Sequence, residues 1–259
     1  MTPDPLSPWR AFTTARIALG RAGASLTTRD RLAFQLDLAR ARDAVYAPFD
    51  PAGFATELSS LPLPALVLST NAPDRRTYLQ RPDLGRSLSA ASRLKLAGLP
   101  GQGACDLVIL LSDGLSPLAL QRHAEPLLSD LLPKLLLAGW RMAPLLMLAN
   151  ARVAVQDEVG GLLNATLSLI LLGERPGLGS PDSLGAYFTY QPKPGRTDAD
   201  RNCLSNIRPA GLAPTLAAAK LLQLLTAARQ RQFSGVQLKD EPAALPSGFG
   251  TPLLPPPHE

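Results

Sequence analysis

The pattern of apolar and polar positions changes at Asp106, where continuous apolar runs begin to alternate with segments of helical spacing. The runs are DLVILLS, RMAPLLML, TLSLILL and LGAYFTY, and such runs are typical of strands covered on both faces. Helices are predicted from Pro117, in QDEVGGLLN and from near Pro214, and we expect Pro126 and Pro133 to bend or divide the first of them. The alternation predicts an α/β protein with a doubly wound, mainly parallel sheet and helices on both faces.

The first hundred residues lack this alternation and are predicted to be helical and irregular. Thr28 can cap a helix through RDRLAFQLDLARARDAVY, where Leu32 and Leu36 recur at helical spacing, and Ser89 can cap a second helix in SAASRLKLA. The final EPAALPSGFGTPLLPPPHE is rich in proline, which predicts disorder. We therefore divide the chain into a helical N-terminal region, a sheet domain and a tail, at 1–100, 101–241 and 242–259.

Three polar segments lie at or near the ends of the predicted strands. They are SDGLS, GERPGLGSPDSLG and DRNCLSNIRP. In an open parallel sheet, ligands bind outside the carboxyl ends of the strands, where successive loops converge. Glycines let the backbone approach a ligand closely, and the segments also supply hydrogen-bonding groups from Glu174, Asp182, Asn202 and Ser205. This composition favours a large polar ligand over a small apolar one.

Charge and cysteine usage remove several classes of function. The chain carries 26 Lys and Arg against 21 Asp and Glu, but its basic residues form no block, so we predict no nucleic-acid partner. No apolar run approaches the ~18 residues of a membrane span, and no membrane association is expected. Cys105, Cys203, His123 and His258 show no ligand spacing, so no metal site is predicted, and the chain reads as a reduced cytosolic protein.

No self-sufficient catalytic set is found in the sequence. GQGACD at Gly101 resembles the start of a dinucleotide fingerprint, but it lacks the third glycine and precedes a strand. His123 lies on a leucine stripe, which favours a core or interface histidine over a base. For Cys203, packing or ligand contact is favoured over nucleophilic attack. The alternative left open is a stand-alone α/β enzyme acting on a small molecule, with Cys203 or Asp113 as its reactive group.

Six motifs carry a resemblance to a known family. In chain order they are TARIALGRAG, TYLQRPDLGR, SDGLS, GERPGLGSPDSLG, RNCLSNIRPAG and SGVQLKD. Together they cover nearly the whole chain and resemble the small, or light, subunit of ethanolamine ammonia-lyase. The resemblance implies a Rossmann-like domain after an N-terminal region that packs on the partner subunit. It also implies a hetero-oligomeric lyase that converts ethanolamine to acetaldehyde and ammonia.

The resemblance further implies that the enzyme depends on adenosylcobalamin, whose cobalt–carbon bond breaks homolytically to start a radical reaction. The large subunit, a TIM barrel, would provide the catalytic groups, so no catalytic residue is expected in this chain. Three cobalamin contacts carry over to Val153, Glu174 and Cys203. Glu174 can accept hydrogen bonds from the corrin's amide side chains, and Val153 and Cys203 can supply van der Waals surface. Each residue also has an alternative role without a ligand. Glu174 can cap the turn or pair with Arg175, Val153 can be a core residue, and Cys203 can be buried.

Two further expectations depend on the resemblance. Neither His123 nor His258 stands in a D-x-H-x-x-G motif, which implies that cobalamin keeps its own dimethylbenzimidazole on cobalt. Relatives housed in bacterial microcompartments carry a longer N-terminal extension, whereas this chain begins almost directly at WRAFTTARIALGRAG. We therefore expect a cytoplasmic protein; a microcompartment is the second location that the family allows, and the short N-terminus argues against it.

Overall fold

The computed structural model describes residues 7–13, 15–99 and 105–239, so the predicted tail (242–259) lies outside the described residues. The strands are β1 (Arg21–Ala22), β2 (Ser25–Leu26), β3 (Ala65–Ser69), β4 (Leu107–Ser112), β5 (Leu145–Ala149), β6 (Leu167–Gly173), β7 (Leu184–Tyr190) and β8 (Arg201–Ile207). The α-helices are α1 (Thr28–Tyr46), α2 (Pro51–Glu57), α3 (Arg75–Gln80), α4 (Ala90–Ala97), α5 (Pro117–Leu137), α6 (Val155–Leu162) and α7 (Pro214–Arg231). No helix in these ranges is long and apolar enough to cross a bilayer.

Six of the strands form one sheet in the order β3-β5-β4-β6-β7-β8. The first four strands in this order run parallel, β7 pairs antiparallel with β6, and β8 pairs antiparallel with β7. The remaining pair, β1 and β2, forms a separate short hairpin. The prediction of an α/β protein with a mostly parallel sheet is confirmed.

Helices cover both faces of the sheet because the central strands are apolar on both sides. All six residues of β4 are buried. Ile109 and Leu111 belong to a core cluster shared with α2, α5 and α7, whereas Val108 and Leu110 belong to a second cluster shared with α4 and α6. Alternate side chains of a strand point to opposite faces, so each strand contributes to two cores.

The long helix α5 begins as predicted but is not divided by its internal prolines. Ser116 precedes the helix and Pro117 occupies its first turn. The helix continues as one element past Pro126 and Pro133, so of the two predicted effects, a bend or a division, the division is wrong. Both prolines lie on the exposed side, while leucines spaced three and four apart are buried against the core. Tertiary packing of that buried face outweighs the local cost of each proline.

The N-terminal region contains a strand that the sequence analysis missed. β3 lies within residues 1–100 yet forms an edge of the main sheet, where Leu66 pairs with Leu146 on β5. Its apolar run is only five residues long and follows a proline, which gave too little signal for a strand. The predicted helical stripe on α1 does not reach a core, since Leu32 and Leu36 are 59% and 52% exposed.

Candidate functional site

The carboxyl ends of the central strands lie next to a part of the sheet that is uncovered on one face. β4, β5 and β6 end together at the same edge, because they are parallel neighbours. β8 pairs with β7 at the edge of the main sheet, and the sequence analysis missed it, as it missed β3. The buried residues of β8 are three apart, at Arg201, Leu204 and Ile207, because its pairing with β7 shifts register after Leu204; Cys203 and Ser205 are exposed. Such a polar edge strand lacks the apolar run by which the other strands were found.

Glu174 follows β6 directly and joins three segments of this edge. One carboxylate oxygen, Oε2, accepts a hydrogen bond from the Ser183 hydroxyl and another from the Asn206 backbone N–H at 3.2 Å. The other, Oε1, accepts from the Ser205 hydroxyl at 2.7 Å and from the Tyr187 hydroxyl at 3.3 Å. All of these donors are neutral, and no ion pair to Glu174 occurs within the described residues. The carboxylate is therefore fixed in place while its charge stays uncompensated.

Glycines at two positions make this arrangement possible. A Cβ atom on Gly185 would lie 2.8 Å from Oε1 of Glu174 and 2.7 Å from the Tyr187 ring. At the end of β6, a Cβ on Gly173 would lie 2.1 Å from the Ser116 carbonyl oxygen and 2.4 Å from that of Asp113. Because these positions lack side chains, the loop after β4 can lie against the end of β6, and the Glu174 carboxylate can lie against β7.

Tyr187 and Cys203 stand opposite each other on β7 and β8. Desolvation, with added repulsion from Cys203 and Glu174, raises the pKa of the Tyr187 phenol far above its ordinary value. Although the residue is exposed, desolvation around the sulfur raises the pKa of the Cys203 thiol to about 11, and the Tyr187 hydroxyl only partly offsets this. Both groups are thus neutral near pH 7. A protonated thiol is a poor nucleophile, so the geometry argues against the stand-alone enzyme with Cys203 as its reactive group.

Val153 lies on the same face as Tyr187, with β4 and β6 between them. It follows β5, is partly buried, and packs against the core cluster that Tyr187 also contacts. The structure therefore brings Glu174 and Cys203 together around Tyr187 and puts Val153 further along the same side of the sheet. Its remaining exposure leaves room for a ligand contact as well as a packing role.

Asp113, the other reactive candidate, is engaged in holding loops together. Its Oδ2 atom accepts from Arg75 at 2.9 Å, and its Oδ1 atom accepts from the Asn150 N–H at 2.7 Å. The side chain is 3% exposed, and burial raises the pKa of this carboxyl despite the Arg75 charge. Arg75 also donates to the Val45 carbonyl at 2.9 Å, so this cluster ties α1 to the ends of β4 and β5. The contacts indicate a structural role.

Two more of the predicted polar residues, Asn202 and Asp182, serve the fold. The Asn202 amide donates to the carbonyl oxygens of Gly235 and Leu238 and does not reach the crevice. Asp182 accepts from Arg122 at 2.9 Å and lies 3.4 Å from Nε2 of His123, which is buried as predicted. These contacts hold the loop after β6 onto α5. No cluster of three or more His, Cys, Asp or Glu side chains suited to a metal ion occurs in residues 7–13, 15–99 and 105–239.

The sequence analysis missed Tyr187, Ser183 and Asn206 as members of this site. Tyr187 belongs to the run LGAYFTY, which gives no sign of which side chains are left uncovered. Ser183 and Asn206 lie within two of the segments that were noted for their polar composition, but a single sequence does not reveal that both turn toward one carboxylate. Ser205 was recognised as a hydrogen-bonding residue, and the structure joins it to Glu174.

Comparison with known proteins decides the family. The family model described as ethanolamine ammonia-lyase light chain (EutC) matches residues 3–239. The chain belongs to this family. Proteins named ethanolamine ammonia-lyase small subunit are 54% identical in Azotobacter vinelandii, over 93% of this chain and 91% of the relative, and 52% identical in Ralstonia nicotianae, over 93% and 90%. The relative of that name in Pseudomonas aeruginosa is 52% identical over 92% of this chain and 88% of its own length. The resemblance carried by the six motifs is confirmed.

Proposed function

We propose that this chain is the small subunit of an adenosylcobalamin-dependent ethanolamine ammonia-lyase and that it holds part of the corrin at an interface with a large subunit. In this proposal the sheet domain is Rossmann-like, the N-terminal region packs on the partner, and the large subunit supplies the catalytic groups. Family membership and the names of the relatives support this assignment. When bound, adenosylcobalamin would supply the radical chemistry that deaminates ethanolamine to acetaldehyde and ammonia.

The observation that carries the proposal is the uncompensated carboxylate of Glu174 beside exposed hydroxyl and thiol groups. The rim of a corrin bears neutral carboxamides, each with N–H donors and a carbonyl acceptor. Glu174 offers the acceptor that an amide N–H requires, and the Ser205 and Tyr187 hydroxyls beside it are donors. The residues present therefore fit the amide-bearing rim of a corrin. A hydrogen bond from a neutral amide to a carboxylate is stronger than one between two neutral groups.

Cys203 and Val153 would act through shape. A neutral thiol is a small apolar group, so Cys203 can lie against the edge of a large ring without paying for a buried charge. Val153, partly buried at the end of β5, can contact the ring further along the same face. Neither residue transfers a proton. In this proposal the chain binds and orients the cofactor, and excludes water from one side of it.

The test is a reconstitution assay. Acetaldehyde formation from ethanolamine and adenosylcobalamin would be measured with this chain alone, the matching large subunit alone, and both together. We expect turnover only in the mixture. Turnover by this chain alone and without cobalamin would instead support the stand-alone enzyme.

Glu174→Ala sharpens the same assay. We expect the adenosylcobalamin concentration for half-maximal activity to rise about tenfold, because one hydrogen bond to a charged acceptor is lost. The KM for ethanolamine should stay unchanged. Glu125→Ala, on the exposed side of α5 and over the opposite face of the sheet, is the matched control and should alter neither quantity. An equal change in the KM for ethanolamine would contradict the assignment of Glu174 to the cofactor.

A further inference from the structure

Ser205 differs from the other donors to Glu174 in its exposure. Ser183 is buried and the Asn206 N–H is part of the backbone, so both can only hold the carboxylate in place. Ser205 is exposed and donates to the opposite oxygen, Oε1, at 2.7 Å. A serine hydroxyl has one hydrogen and rotates freely, so it can turn from Oε1 toward a ligand. Oε2 is thus the anchored oxygen. Oε1 keeps the Tyr187 hydroxyl as a longer contact at 3.3 Å, and when Ser205 turns away it is the oxygen that a ligand can reach.

The position of Ser205 on β8 directs it to the same face as Cys203. The strand is irregular just after Leu204, but the contacts fix the face: Ser205 donates to the same Glu174 oxygen as Tyr187, and Tyr187 is the cross-strand partner of Cys203. Across the pair of strands, Gly185 leaves open the space over which the Glu174 carboxylate reaches Ser205. A rotating donor and a fixed acceptor therefore stand side by side on one open surface.

We infer that Ser205 and Glu174 form a carboxamide-reading pair that selects a corrin with an intact neutral amide over one whose amide has been hydrolysed to a carboxylate. The inference rests on the proposed function. The amide N–H donates to Oε1 of Glu174, and the displaced Ser205 hydroxyl turns to donate to the amide carbonyl. The amide carbonyl and one amide N–H are then both paired with this chain.

A carboxylate in the same position would be rejected for two reasons. It has no N–H to give to Oε1, and it carries a second negative charge beside Glu174, which has only neutral donors around it. Like charges in close contact disfavour each other strongly where water is displaced. Rejection of an analogue that leaves polar groups unpaired is the mechanism by which polar sites achieve high selectivity.

The first experiment measures binding, not activity. The complex with the large subunit is dialysed to equilibrium against cyanocobalamin, which retains the corrin amides. Ser205→Ala should weaken binding about three- to tenfold, whereas Ser205→Thr, which keeps the hydroxyl, should remain within about twofold of the unsubstituted complex. Ser129→Ala is the matched control, since Ser129 donates to Glu125 at 2.8 Å on the exposed side of α5. It should bind cyanocobalamin normally.

The second experiment tests selectivity. Acid forms of cyanocobalamin, each with one peripheral amide hydrolysed, are compared one at a time with the parent compound. We expect one acid to bind at least about tenfold more weakly than the parent and Glu174→Gln to remove most of that difference, because it removes the repelling charge. Equal binding by Ser205→Ala, or a penalty that Glu174→Gln leaves unchanged for every acid, would overturn the inference. Failure of the unsubstituted complex to bind cyanocobalamin would overturn the proposed function and this inference with it.

Discussion

The two faces of the β7–β8 pair differ in what covers them. On one face, Ala186, Phe188 and Leu204 are buried in the core cluster that includes α7. On the other face, Tyr187 is half-buried and Cys203 and Ser205 are exposed. The short helix α6 packs on the second cluster with the parallel strands. The same two strands are therefore part of the core on one side and the floor of a crevice on the other.

The open face also changes character along its length. At the start of β8, Arg201 donates to both carboxylate oxygens of Asp157, at 2.6 and 2.8 Å, and both side chains are almost completely buried. At the other end, Glu174 is held by neutral donors and lies beside exposed Ser205. A carboxylate paired with a guanidinium is neutralised and fastens α6 to β8. A carboxylate held only by neutral groups keeps its charge for a ligand.

The largest expected effect is the loss of packing on the covered face. Phe188→Ala should lower the free energy of unfolding by about 4 kcal/mol, because it removes a fully buried aromatic side chain and leaves a cavity. Cys203→Ala, on the neighbouring strand but on the open face, should lower it by less than about 1 kcal/mol. Urea denaturation of both variants measures the difference. Similar losses for the two would mean that the faces do not differ in packing.

A smaller effect is expected from the buried ion pair. Arg201→Ala leaves the Asp157 carboxylate buried without its partner, which should lower the free energy of unfolding by about 3 kcal/mol. Arg81→Ala is the control, because Arg81 makes the same two-point contact with Asp83, at 2.9 and 2.7 Å, on the exposed surface. Its effect should stay within about 1 kcal/mol. If urea denaturation gave equal losses, burial would not account for the strength of the Arg201 contact.

The smallest effect concerns the reactivity of Cys203. In a Cys105→Ala background at pH 8, a thiol with a pKa of about 11 holds about a hundredfold less thiolate than one with a pKa of 9.0. A more basic thiolate is also more nucleophilic, so the rate of alkylation by iodoacetamide should be about tenfold below that of a free thiol. The rate should keep rising toward the Cys203 pKa of about 11. The unfolded thiol titrates near its ordinary pKa of 9.0, so this group's contribution to stability is complete below that pH and is lost as pH rises through 11. An alkylation rate that stops rising just above pH 9, the ordinary thiol pKa, would refute the raised pKa of Cys203.

The local features of the fold were largely readable from the sequence. The runs that became β4, β5, β6 and β7 are continuously apolar, and the predicted cap at Ser89 and the predicted helix start near Pro214 were both correct. β3 and β8 were not found, because the first is short and the second is polar. Both are edge strands, which need burial on fewer sides and so carry a weaker apolar pattern. The prediction for α5 failed for the opposite reason. Its prolines are a strong local signal for a divided helix, but packing of the buried leucine face outweighed that signal.

The sequence by itself determined the parallel core, the family and the presence of Glu174 in a glycine-rich loop at the end of a strand. Only the tertiary structure decided that Glu174 meets Ser205, 31 residues away, and that the face bearing Tyr187 and Cys203 is left uncovered. The physical reason is that local spacing determines which side chains of a strand share a face. Strand order and the positions of the packed helices determine which face stays exposed to water.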